Sequence, residues 1–239
     1  IRQADYRIEG PLTSSYSLAL VNRELGLALA QAGKHVELRS MEGQIGQFLP
    51  DEEFLGKNES VAKLMAQSPH SMIEAQPADV CLRDMFPPRT DDIRAANIKG
   101  LSCYAWEETG VPSAYVEAMN RSLDIVTVIS NHVGKILKDN GVYVPISVVG
   151  SGADHLQRST RVSSRQWFDG AYGKKAKGFR FLHISSGFPR KGVDLLFKAW
   201  SRLSQQQDWN ASLVIKTFKN PHNNIVQMIE DIQQENSTL

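Results

Sequence analysis

Apolar positions along the chain fall into two alternating rhythms. Short β-branched runs give way to stripes spaced three and four residues apart, which predicts strands and helices in turn. Tyr6 to Gly10 reads as an opening strand and loop. Ser14-Ser15-Tyr16-Ser17 offers hydroxyl caps to a helix striped by Leu18, Val21, Leu25, Ala28, Leu29 and Ala32. Gly33 suits a left-handed C-cap, and His35 to Leu38 is the next strand, completing a βαβ unit. The N-terminus of that helix is expected to present free N–H groups to a crevice, suited to an anion or a sugar hydroxyl.

The same rhythm continues. Val61, Leu64 and Met65 mark a helix ended by Pro69, and Ala78 to Leu82 is a buried strand. A strand from about Ile98 to Tyr104 leads to a helix opened by Pro112. Asp124 to Ile129 is a strand, Ser130 caps a helix closed by Gly141, and Ile146 to Val149 is one more strand. Residues 155–178 lose the pattern, which resumes with a strand at Phe179 to Ser185 and a helix striped by Val193, Leu196, Phe197 and Trp200. Leu213 to Phe218 and a helix carrying Ile225, Met228, Ile229 and Ile232 follow. The expectation is therefore α/β: a parallel-sheet domain over 1–154, a linker over 155–178, and the start of a second, incomplete domain over 179–239. Two strands and two helices fall short of the five or six strands of an ordinary sheet. A small appendage on the first sheet is the other reading.

Composition narrows the function classes. A formal net charge of +1 gives no global drive toward nucleic acid or anionic lipid. The lysines at 174, 175 and 177 lack the aromatic interleaving of a nucleic-acid groove and read as a solvated stretch. No apolar run reaches the roughly 18 residues of a membrane span. Cys81 and Cys103 read as two small buried hydrophobes in a reducing compartment, with a single bridge left open. Both chain ends read as boundaries within a longer protein.

Candidate chemistry lies just past strand ends, where open α/β sheets bind ligands. Gly10-Pro11 opens the first loop without the three spaced glycines of a dinucleotide fingerprint, which disfavours a Rossmann dehydrogenase. Gly10, Thr13 and Ser14 are candidates in that loop, and Arg83 and Asp84 are candidates after the third strand, with a surface ion pair as the alternative for these two. Glu107 and Glu108 follow Trp106, and one could act in proton transfer or both could favour a helix start. Asp84 and Glu107 are taken as the candidate catalytic carboxylates. Gly150-Ser151-Gly152 permits close approach to a ligand, and Asp154 caps or lines that turn, so Gly152 and Asp154 are further cleft-loop candidates. Arg190 and Lys191 sit at a strand–loop–helix junction, where cations and helix amides together stabilise a diphosphate.

Three stretches resemble the group 1 (family 4) glycosyltransferases, whose architecture, GT-B, pairs two Rossmann-like domains. Tyr104-Ala105-Trp106-Glu107-Glu108-Thr109-Gly110-Val111-Pro112 is similar to a Y-x-W-E-E-x-G-x-P run in one branch of that group. Val148-Val149-Gly150-Ser151-Gly152-Ala153-Asp154 resembles the run ending V-P-N-G-V-D. Arg190-Lys191-Gly192-Val193-Asp194-Leu195-Leu196 with Ala199-Trp200 resembles R-K-G-x-D-x-L-x-x-A-F, which opens the donor domain.

The resemblance implies transfer of a sugar from a nucleotide-diphosphate sugar to a glycan or glycoconjugate, with retention and without metal or other cofactor. It implies polysaccharide or glycoconjugate assembly in the cytoplasm, with peripheral association at the inner membrane face left open, and no nucleic-acid partner. Lys191 matches the lysine that contacts the donor diphosphate. The arginine usual five residues earlier is Ser186 here, with Arg190 as its substitute, and Ser151 stands for the usual asparagine. An E-x7-E segment near sugar and ribose would lie beyond Leu239, so activity is expected of a longer parent and not of these 239 residues. The competing expectations are a non-catalytic carbohydrate- or nucleotide-binding domain and a purely structural domain of a larger protein.

Overall fold

The computed structural model describes residues 4–14, 16–43, 50–66, 77–153, 170, 178–206, 208–218, 220 and 223–235. The chain divides into two compact units, Ile1–Arg158 and Ser159–Leu239.

The first unit is an α/β fold of Rossmann-like type. Its strands are β1 (Tyr6–Gly10), β2 (Val36–Ser40), β3 (Ala78–Arg83), β4 (Ala96–Tyr104), β5 (Ile125–Val128) and β6 (Ile146–Val148). All pairings are parallel, in the order β2-β1-β3-β4-β5-β6. Helix α1 (Ser17–Gln31) joins β1 to β2, and α2 (Glu52–Lys57) and α3 (Glu59–Ala66) precede β3. Helices α4 (Ser113–Ser122) and α5 (Asn131–Asp139) flank β5. The strand order reverses direction between β1 and β3, which makes the crevice above their C-terminal ends the switch point of the sheet.

The boundary signals act as expected at several places. Ser130 Oγ accepts from the Val133 N–H at 3.3 Å and caps α5, while Gly33 and Gly141 take positive φ after α1 and α5. The stripe of α1 is different. Its buried line is Ala19, Asn22 and Gly26, while Ala28 and Ala32 are exposed. Small residues let the helix approach the sheet closely: a Cβ at Gly26 would stand 2.6 Å from Leu38 Cδ2. Its N-cap is Tyr16, without a side-chain hydrogen bond, so neither Ser14 nor Ser17 is the cap, and Ser15 lies outside the described residues.

Strand alternation divides the sheet sharply. One face of β1 and β2 carries Ile8, Val36 and Leu38, packed with Leu25 and Leu29 of α1 and Val61 and Leu64 of α3. The other face carries Arg7, Glu9, Glu37 and Arg83, all buried. A second core forms around Leu101, Val126, Val128, Met119, Val133 and Leu137. Between β3 and β4 the chain crosses through residues 84–95 without a helix. A helix would satisfy its own carbonyls, whereas this extended crossover needs donors from elsewhere. Arg83 supplies them to Arg89 O (2.8 Å) and Asp92 O (3.1 Å), and Arg7 to Ala95 O (3.4 Å).

The second unit holds β7 (Phe179–Ile184) and β8 (Ala211–Lys216), paired in parallel, with α6 (Val193–Ser204) between them and α7 (Ile225–Glu235) after them. Val193, Phe197 and Ile225 are its buried centre, joined by Leu213, Ile215, Met228 and Ile229. Trp200 packs edge-on against Phe181 and Trp209. A two-stranded sheet leaves apolar surface open, and Phe179, Leu182 and Ile184 are exposed. Cys81 is buried, Cys103 half-buried, and both are free thiols.

Candidate functional site

At the switch point, the loop after β1 and the first residue after β3 are drawn together by one side chain. Asn22, wholly buried on α1, donates through Nδ2 to Pro11 O (3.1 Å) and Asp84 O (2.9 Å). Gly10 makes this approach feasible, because a Cβ there would collide with the Asn22 amide and the Asp84 carbonyl. Asn22 was not a candidate from sequence. Its only signal was polarity on a helix read by its apolar stripe, and Arg23 and Glu24 beside it are polar as well.

Glu42 closes the loop that precedes α1. Its carboxylate accepts from the Thr13 N–H (2.9 Å), the Ser14 N–H (2.7 Å), Thr13 Oγ1 (2.9 Å) and Ser40 Oγ (2.9 Å). Arg23 Nη1 holds the loop from the other side through Leu12 O (2.8 Å) and Ser14 O (2.9 Å). Burial would raise the Glu42 pKa, but the Thr13 and Ser14 bonds outweigh it and hold the group below its ordinary value. The Thr13 and Ser14 N–H groups are filled by a carboxylate of the chain itself. Thr13 and Ser14 are thus at the crevice, but their N–H groups are occupied.

Arg83 is likewise committed inward. Nε and Nη2 donate to Glu9 Oε2, Nη1 to Asp92 Oδ1 and Arg89 O, and Nη2 also to Asp92 O. All five N–H groups are then used. Glu9 also accepts from Arg39 at 2.9 Å, so β2, β1 and β3 are tied by an Arg–Glu–Arg triad across one face. Strand alternation explains this, since Glu9 is in register with both arginines. The ion-pair alternative describes Arg83, but the pair is buried rather than at the surface.

Asp84 is different. It is 2% exposed, and its Oδ2 has no hydrogen-bond partner. Burial pushes its carboxyl up to about 8, so it carries its proton at neutral pH. Tyr104 ends β4 with its hydroxyl also buried and unpartnered, and its phenol is raised by burial, by Tyr115 and by the nearby Asp84. Tyr16 is raised by burial, then by Glu42 and Asp84. A register shift in β4 between Leu101 and Tyr104 places Cys103 at φ 52°, a left-handed conformation for a non-glycine residue beside the crevice.

Tyr104 leads into an aromatic group. Its ring is stacked with Trp106 at 6.3 Å, Tyr115 meets Trp106 edge-on at 6.3 Å, and Phe86 lies 6.4 Å from Trp106. Trp106 Nε1 donates to Gly110 O at 3.1 Å. Glu107 follows, exposed, in the loop three residues past the end of β4. Gly152 is exposed after β6, and Asp154 lies outside the described residues.

In the second unit, Pro189–Lys191 forms a single 3₁₀ turn between β7 and α6, with Gly192 at φ 65° joining turn to helix. Arg190 and Lys191 are exposed. Ser186 is half-buried, and its carbonyl accepts from Asn220 Nδ2 at 2.7 Å. Asn223 spans the neighbouring loop, donating to Thr217 Oγ1 (2.8 Å) and Phe218 O (2.6 Å) while accepting from the Ile225 N–H (3.1 Å). These two asparagines organise the β8–α7 loop at the same end of the sheet as Lys191. Sequence pattern did not single them out, because their role rests on individual side-chain contacts, one of them 34 residues away, that leave no periodic signal.

Among the described residues, no three His, Cys, Asp or Glu side chains come together as a metal set, and no helix is long and apolar enough to cross a membrane. Searched against protein-family models, the chain matches none, and no curated protein sequence matches it either.

Proposed function

We propose that the chain carries the acceptor-side domain and the opening of the donor domain of a glycosyltransferase of the group 1 (family 4) type. Such an enzyme transfers a sugar from a nucleotide-diphosphate sugar to a glycan or glycoconjugate hydroxyl, with retention. One observation carries this reading. The Arg190-Lys191-Gly192 motif forms an exposed cationic turn directly before the N-terminus of α6, at the C-terminal end of β7. Cations and unpaired helix N–H groups there suit a diphosphate and the charge it gains on leaving.

The first unit supports the acceptor half of the proposal. At its switch point lie a buried uncharged acid, a buried phenol and the exposed ring of Phe86, and the Thr13 and Ser14 N–H groups are already filled by Glu42. In this scheme Lys191 and Arg190 steady the leaving diphosphate, Asp84 holds an acceptor hydroxyl, and Glu107 is the second candidate carboxylate. The non-catalytic alternative, a carbohydrate-binding domain, is favoured by Ser186. That position brings no charge, and its carbonyl is engaged by Asn220.

A nucleotide-sugar hydrolysis screen on the longer parent, with Lys191→Ala beside it, tests the reading. Loss of donor affinity and turnover in the variant is expected. Unchanged values would reject the assignment of Lys191, and a reading frame lacking an E-x7-E segment after Leu239 would favour the binding-domain alternative.

A further inference from the structure

We infer that Ser185 donates its hydroxyl proton to a phosphate oxygen at the loop after β7, and that His183 controls whether that proton is free to be donated. Ser185 touches the ligand, and His183 is a positioning residue that acts through it. The inference concerns the regulation of the anion site in the proposed function and rests on that reading.

Strand alternation brings the two side chains together. Residues 183 and 185 project to the same side of β7 and its continuation, where the Ser185 N–H extends the ladder by donating to Lys216 O at 3.2 Å. His183 Nε2 lies 2.9 Å from Ser185 Oγ, and the Gly187 N–H donates to the same oxygen at 3.3 Å. Gly187 is held in place: it takes φ 75°, and a Cβ there would stand 2.8 Å from Asn223 Oδ1. Both His183 and Ser185 are half-buried, and Ser185 opens the loop that Arg190 and Lys191 close.

A count of donors and acceptors gives the pair two states. A hydroxyl has one proton to give and two lone pairs to fill. The Gly187 N–H fills one lone pair. With the imidazole proton on Nδ1, Nε2 is an acceptor, the Ser185 proton goes to it, and nothing is left for a ligand. With a proton on Nε2, the imidazole donates, both lone pairs of Ser185 are filled, and the hydroxyl can engage only an acceptor. Arg190 and Lys191 in the same loop make that acceptor an anionic oxygen. Ser186 brings no charge of its own, and its carbonyl is held by Asn220 at 2.7 Å. The proposed function supplies such an oxygen in the diphosphate of a nucleotide.

Nitrogen-15 NMR of the His183 ring in the full chain with UDP, beside calorimetry, tests this. Nε2 is expected to carry a proton in the UDP complex. Ser185→Ala should weaken UDP binding about three- to tenfold, the loss of one hydrogen bond, and leave uridine binding unchanged. Ser185→Thr should restore UDP binding, which separates the hydroxyl from any general effect on the loop. His183→Gln, whose amide offers an N–H without a tautomer change, should bind UDP no more weakly than the parent. A bare Nε2 in the complex, or equal UDP binding by Ser185→Ala, overturns the inference.

Failure of the wider reading looks different. UDP binding that is lost in Lys191→Ala but indifferent to Ser185→Ala would sink the role of Ser185 alone. Dependence on Ser185 without dependence on Lys191 would keep the inference and reject the assignment of Lys191. No UDP binding by the parent would overturn both.

Discussion

The two units repeat one local design, a strand, a loop and the N-terminus of a helix, and give it opposite electrostatics. After β1, the loop N–H groups of Thr13 and Ser14 are closed by the buried carboxylate of Glu42, and the nearby arginine, Arg83, spends every donor inside the protein. After β7, the loop presents Arg190 and Lys191 to solvent. The same residue types therefore do different work. In the first unit charge is buried and structural, while in the second it lies at the surface. Reading positive residues near strand ends as a single class would merge these two cases.

The contrast is most strongly broken at Arg83. Arg83→Ala should cost about 3–5 kcal/mol, because it strands Glu9 and the crossover carbonyls in the interior. Denaturant unfolding followed by circular dichroism would measure it, and a loss below about 1 kcal/mol would mean the triad is not structural.

Asp84 comes next. Its carboxyl titrates near 8 in the folded protein and near 3.8 when unfolded, so the folded state holds a proton that the unfolded state has released. Its effect on stability therefore falls as pH rises across that window, by at most about 1.4 kcal/mol per pH unit. Asp84→Asn should remove this fall and be more stable than the parent at pH 7, by on the order of 3 kcal/mol. Thermal melts from pH 4 to 9 would show whether the two profiles diverge.

Glu42 works with the reverse sign. Its folded pKa is depressed, so its stabilisation is present above the ordinary carboxylate range and lost as pH falls through the folded value. Glu42→Ala should cost about 2–3 kcal/mol by leaving loop donors unsatisfied. It should also turn the loop into an anion site, so inorganic phosphate should raise the melting temperature of the variant and not of the parent. Absence of that rescue would break the comparison with the second loop.

The smallest stability effect belongs to Lys191. Lys191→Ala should change unfolding free energy by less than about 0.5 kcal/mol, as expected of an exposed side chain. The same variant should weaken UDP or GDP binding by about tenfold or more, read by calorimetry.

Much of the fold is legible in the residue pattern, because each strand and helix announces itself by local spacing and by caps such as Ser130 and Gly33. The error on α1 has a physical source. Leu, Val and Ala spacing marks an apolar stripe, yet the line nearest the sheet is Ala19, Asn22 and Gly26, chosen for size rather than hydrophobicity. The crevice was legible only in part. Asp84 stood out by following a strand, but Glu42 acts across 28 and 29 residues and carries no motif. The burial of Arg83 depended on the register that sets it opposite Glu9, which no single-strand pattern contains.

The helix-free crossover between β3 and β4 has an evolutionary consequence. A helix brings its own hydrogen-bond ladder and tolerates piecemeal replacement, whereas residues 84–95 borrow donors from Arg7 and Arg83 in the sheet. Phe86 rides on that borrowed support. Substitutions at Arg83 and Phe86 should therefore be epistatic, the first deciding whether the second still matters, although one lies in the interior and the other faces solvent. Change in the crossover would then have to pass through paired substitutions in the sheet, within what the two arginines allow.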